Sequence, residues 1–195
     1  MMLSRLTAGM SMFLAIPFTL SGGMWQLNSL PAQAVQLTDG TVYFAEPPRL
    51  VNAVTTQKNT YVWGAIYYFT LTLPENAGEP LQRVEIAQGT GGDDIEYSVN
   101  DIVAFEGSQQ HKGPRLTLGP VRANRDSKTV SITFNPPVPP GKTVTIGLTP
   151  IHNPKFGGVY LFGVTAFPRG EKVHGQFLGF GRLHFYQNIG SFLNP

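Results

Sequence analysis

Short segments with a hydrophobic period of two, fenced off by Gly and Pro at intervals of about ten residues, are what most restrict this chain's fold. In Tyr67-Tyr68-Phe69-Thr70-Leu71-Thr72-Leu73 the odd positions are apolar and the threonines face the other way. Thr129–Phe134 and Thr143–Leu148 repeat the pattern. Between them, Asn135–Gly141 carries Pro136, Pro137, Pro139 and Pro140, and reads as a rigid, donor-poor connection. Arg125–Lys128 reads as the turn before Thr129. Further strands are expected at Leu81–Ile86, Ile95–Val99, Leu116–Leu118, Gly158–Phe167 and Gln176–Tyr186. Only Pro48–Gln57 has helical potential, and its β-branched Val51, Val54, Thr55 and Thr56 weaken it. About eight such strands predict an all-β fold, a two-sheet antiparallel sandwich of the immunoglobulin-like kind.

The first 34 residues do not fit that pattern. Arg5 is their only charged side chain, Leu6–Leu20 is an uncharged apolar run, and Ser21-Gly22-Gly23 ends it. Pro31-Ala32-Gln33-Ala34 then places small residues at the two positions a signal peptidase reads. A membrane-spanning helix needs about 20 apolar residues; the run is shorter and contains Pro17. Residues 1–34 are therefore read as a signal peptide cleaved after Ala34, and residues 35–195 as one exported sandwich domain. No later stretch is long and apolar enough to cross a bilayer, so no stable span is expected after cleavage.

Charge and sulfur exclude whole classes of function. Without Arg5, thirteen Lys and Arg face twelve Asp and Glu, which leaves no basic footprint for nucleic acid and no polybasic membrane patch. Charged residues make up 13% of the chain, about half the usual share. There is no Cys, and all five Met fall within residues 1–24. Disulfides, thiol nucleophiles, Fe–S ligation and blue-copper chemistry are thereby excluded.

Gly89-Thr90-Gly91-Gly92-Asp93-Asp94-Ile95-Glu96 is the most site-like loop. Its glycines free the backbone, and Asp93, Asp94 and Glu96 offer the hard oxygens that calcium prefers. The spacing matches no EF-hand, however, and a solvated hairpin turn accounts for the same residues. No Gly-Lys-Ser/Thr follows, so it is not a phosphate loop. His111, His152, His174 and His184 are scattered; on one straight strand His174 and His184 would stand roughly 33 Å apart. None of Ser98, Ser108, Ser127, Ser131 and Ser191 lies in a nucleophile elbow. No cofactor is implied. Paired carboxylates for sugar hydrolysis would leave no local trace.

Gly175–Tyr186 is the most unusual stretch. Read as a strand, one face carries Phe177, Gly179, Gly181, Leu183 and Phe185 and looks like core. The other carries Gln176, Leu178, Phe180, Arg182, His184 and Tyr186, a mixture of aromatic and hydrogen-bonding groups found at binding surfaces. A covering loop would make that second face interior as well.

Four blocks, Tyr67–Pro80, Val138–Pro154, Gly158–Phe167 and Gly175–Tyr186, together resemble a cyanobacterial family of short exported proteins catalogued only as a domain of unknown function. The resemblance implies the periplasm or the thylakoid lumen, and brings no catalytic residues. The expected role is non-enzymatic binding of another envelope or lumenal protein through Phe180, Arg182, His184 and Tyr186. The alternative is a periplasmic metal- or small-ligand-binding protein using Asp93, Asp94 and Glu96 or a histidine pair.

Overall fold

The computed structural model describes Val35–Gln36 and residues 39–187. The leader expected over residues 1–34, with its cleavage after Ala34, lies outside them. The strands are β1 Val35–Gln36, β2 Val42–Tyr43, β3 Arg49–Thr55, β4 Tyr67–Thr72, β5 Leu81–Thr90 and β6 Val103–Gly107. They continue as β7 Lys112–Arg115, β8 Leu118–Asn124, β9 Thr129–Val138, β10 Thr143–Leu148, β11 Gly158–Pro168 and β12 Gln176–Phe185. Two five-stranded antiparallel sheets, ordered β3-β4-β10-β6-β7 and β12-β11-β5-β9-β8, make the sandwich. The short β1 pairs with β2.

The period-two pattern is what fills the space between the sheets. Phe69, Leu71, Val144 and Ile146 from one sheet meet Val84, Ile132, Phe134, Phe162 and Val164 from the other, all fully buried. Phe69 and Phe162 touch edge to face across the layers, with ring centroids 5.7 Å apart. The threonines of β4 do face away from this core, as expected. Thr70 and Thr145 are nevertheless buried, and their hydroxyls bond across the strands at 2.9 Å.

Four local expectations are corrected. Arg49–Thr55 is a strand, not a helix, because its β-branched residues suit a ladder with β4. β9 runs through Asn135-Pro136-Pro137 to Val138 instead of ending at Phe134. The ladder is irregular there, between Leu81 and Arg83 of β5, so the prolines sit where no N–H is required. Ile95–Val99 is not a strand: Ile95 N–H donates to the Gln88 side chain, and Val99–Asp101 forms a single 3-10 turn. Leu116–Leu118 spans the break between β7 and β8.

The β2 segment is tied to the β11–β12 connection. Lys172 Nζ donates to Asp39 at 2.7 Å, and Thr41 donates to the same carboxylate from both its N–H and its hydroxyl. The Lys172 bond first, then the two from Thr41, lower the Asp39 pKa from the usual 3.8 to about 2. With the folded pKa below the unfolded one, this contribution is complete above about pH 4 and is lost as pH falls through about 2. An NMR titration should place the Asp39 midpoint near 2, and Lys172→Met should return it toward 3.8.

Candidate functional site

β12 is an edge strand, and a bulge decides what it displays. Gly179 pairs with Val164 but Phe177 pairs with Thr165, so Leu178 is an extra residue, and Gly179 takes φ 117° to allow it. Beyond the bulge, Gly181, Leu183 and Phe185 face the core while Phe180, Arg182 and His184 face solvent. Before it the alternation is shifted by one. Phe177, expected in the core, is therefore 58% exposed, beside Phe180 at 60%. The two rings meet edge to face at 5.1 Å.

The aromatic pair rests on a strip of backbone without side chains. A Cβ on Gly163 would lie 3.2 Å from the Phe177 ring and 3.5 Å from that of Phe180; one on Gly89 would lie 3.7 Å from Phe180. Directly opposite on β11, Leu161 pairs with Arg182 and Val159 with His184. Arg182, His184 and Tyr186 also border a cleft of about 220 Å³ shared with Val54, Thr55 and Lys58. All four expected residues, Phe180, Arg182, His184 and Tyr186, are exposed, and no loop among the described residues covers them. The edges meet closely behind this face: a Cβ on Gly181 would lie 2.7 Å from Ala53 Cβ and 2.8 Å from the Phe69 ring.

The acidic loop has a different logic. Buried Gln88 organises it, donating to Asp93 O at 2.6 Å and accepting from Ile95 N–H at 3.0 Å. Asp93 accepts from the N–H groups of Asp94 and Lys155, Asp94 pairs with Lys128 at 2.5 Å, and Glu96 pairs with Arg125 at 2.9 Å. The three carboxylates thus turn to three separate partners. Among the described residues, no three His, Asp or Glu side chains converge as metal ligands would. Gly91 is small because it lies against Tyr160, where a Cβ would come within 2.2 Å of the ring.

The histidines are dispersed. His174 stacks on Tyr43 at 4.8 Å, His111 closes a turn on Ser108, and His184 stands on β12. His152 stacks on Tyr61 at 5.6 Å and meets Trp63 at 5.8 Å. Sequence reasoning did not single out Tyr61, Trp63 or Phe156, which are all exposed at the loop end of the sandwich. The available signal was Trp63 itself, the only Trp outside the first 34 residues, next to Gly64.

Fold and surface together define an all-β two-sheet sandwich whose edge strand presents an aromatic and polar face. The chain belongs to the family described as Protein of unknown function (DUF2808), whose model matches residues 41–185, as the four sequence blocks implied. No curated protein matches it. Among solved structures it is similar to the collagen-binding domain from a Staphylococcus aureus adhesin, at 8% identity and a TM-score of 0.38, over 70% of this chain and 97% of that one. It is also similar to the RrgA Jo.In complex, at 15% identity and a TM-score of 0.39, over 71% and 78%. A third likeness is to AvmM, which catalyses macrocyclization in alchivemycin A biosynthesis, at 14% identity and a TM-score of 0.33, over 77% and 95%. No helix among the described residues is long and apolar enough to cross a membrane.

Proposed function

We propose that the protein is exported and acts without catalysis, by binding another protein of the envelope or thylakoid lumen through the outward face of β12. The exposed Phe177–Phe180 pair carries this reading. Two phenylalanines more than half exposed, held against glycine backbone and continued by Arg182, His184 and Tyr186, leave apolar surface in water that a partner would cover. Aromatic residues and Arg dominate the energetics of such contacts. The metal-binding alternative finds its carboxylates turned toward different partners, Lys155 N–H, Lys128 and Arg125, and not toward one point where an ion could sit.

The test is native mass spectrometry of the protein drawn gently from its own exported fraction, beside an Arg182→Ala/Tyr186→Ala variant. The wild type should carry a protein-sized excess mass. The double variant should lose it while its thermal melt stays nearly unchanged, since both side chains are exposed. A variant that unfolds, or one that keeps its partner, would overturn the assignment. The same spectrum reports whether the chain begins at Val35.

A further inference from the structure

The loop end of the sandwich gathers a second set of exposed rings, separate from the Phe177–Phe180 pair. Trp63 is 70% exposed, Tyr61 57% and Phe156 54%. Tyr61 and His152 lie nearly parallel, 17° apart, and Trp63 stands at 67° to the imidazole. These residues come from the β3–β4 and β10–β11 connections, which are locked together. Asn153 N–H donates to Val62 O at 2.8 Å, Tyr61 N–H donates to Pro154 O, and the buried Asn153 side chain donates to Gln57 O and Asn59 O. The loop backbones that carry the rings are thus held in place before any ligand arrives.

The polar surroundings are equally specific. His152 Nδ1 lies 2.7 Å from Asn153 O, a carbonyl that can only accept, so in the neutral imidazole the proton is on Nδ1 and Nε2 is the acceptor. His152 and Ile151 border an open cleft of about 220 Å³ with Asp93, Asp94, Glu96 and Lys155. The charges of its rim are balanced, Asp94 with Lys128 and Glu96 with Arg125. Such a rim supplies donors and acceptors but not the net positive field that draws an anionic bilayer.

Open aromatic faces beside acceptors, on a surface whose charges are balanced, match one ligand chemistry. A pyranose ring offers a face of C–H groups, which the negative face of an indole or phenol attracts, and a rim of hydroxyls that donate to imidazole and carboxylate. We propose that this end of the sandwich binds a glycan chain, with Trp63 and Tyr61 against its ring faces and His152, Asp94 and Glu96 accepting from its hydroxyls. The site is open, not a closed pocket, and so suits a length of chain instead of a single sugar.

Trp63 provides its own readout. With Trp25→Phe in the full chain, it is the only tryptophan. Titration with β-1,4-linked N-acetylglucosamine tetramer, and separately with cellotetraose, should shift its emission saturably for at least one of them. By calorimetry, Trp63→Ala should weaken that binding at least tenfold without lowering the melt, since the indole is mostly in solvent. Arg182→Ala/Tyr186→Ala should leave it intact, so the two surfaces fail or succeed independently. A flat titration with both sugars, wild-type affinity in Trp63→Ala, or a response confined to phosphatidylglycerol vesicles would overturn the proposal.

Discussion

Asn153→Ala should lose about 3 kcal/mol of stability, since the Tyr67 hydroxyl and Asn59 O are left unpaired at roughly 1–3 kcal/mol each, while Gln57 O keeps the Thr55 hydroxyl as a donor. The residue is fully buried, and its amide serves two parts of the fold at once. Oδ1 accepts from the Tyr67 hydroxyl at 2.8 Å, while Nδ2 donates to Gln57 O at 3.0 Å and to Asn59 O at 2.8 Å. Tyr67 is itself inside the core, its ring 5.5 Å from that of Phe185, and burial pushes its pKa far above the usual phenol range. Its hydroxyl therefore stays a donor and depends on Asn153. A loss of that size corresponds to a melting temperature about 10 °C lower for a domain of this length. Asn153→Asp keeps an acceptor for Tyr67 but sets a buried carboxylate against Gln57 O and Asn59 O, so at neutral pH it should be at least as destabilised as Ala. Urea denaturation of the three proteins decides the matter, and a loss below about 1 kcal/mol for Ala would refute the role.

Gly91→Val should cost about 3 kcal/mol, at the upper end of ordinary overpacking. Its Cβ would overlap the Tyr160 ring at 2.2 Å, and that ring has nowhere to go. Tyr160 is fully buried, packs edge to face on Phe185 at 5.4 Å, and donates its hydroxyl to Phe156 O at 2.9 Å. Gly89→Ala is the matched control. There the nearest atoms are the Phe180 ring at 3.7 Å and Leu161 O at 3.8 Å, so under about 1 kcal/mol is expected. Equal effects of the two substitutions in a denaturation series would mean that contact with Tyr160 is not what requires glycine at position 91.

The loop around Gly91 also shows how far the sequence could be read. Glycines beside Asp93, Asp94 and Glu96 carry the same letters whether the backbone wraps an ion or passes a tyrosine ring. Tyr160 lies some seventy residues further along the chain, and nothing local announces it. Lys128, Arg125 and Lys155, the partners that occupy the acids, are likewise distant in sequence.

Alternation was legible because it is a local property. A strand that buries one face must repeat every second residue, and Tyr67–Leu73, Thr129–Phe134 and Thr143–Leu148 do so. That alone determined the all-β class and the sandwich; it put Phe180, Arg182 and His184 on one face of a strand, and only the structure showed that no described loop covers them. Pairing between distant segments decided the rest. The irregular ladder between β5 and β9 admitted prolines that read as a loop, and the edge of β4 turned Arg49–Thr55 into a strand. The bulge against β11 moved Phe177 from core to surface, because one extra residue reverses every facing before it. The rings of Tyr61, Trp63 and His152 come together only where two loops are joined through Asn153. Period is written in neighbours along the chain; register and loop assembly are written in contacts across it, and only the folded chain holds those.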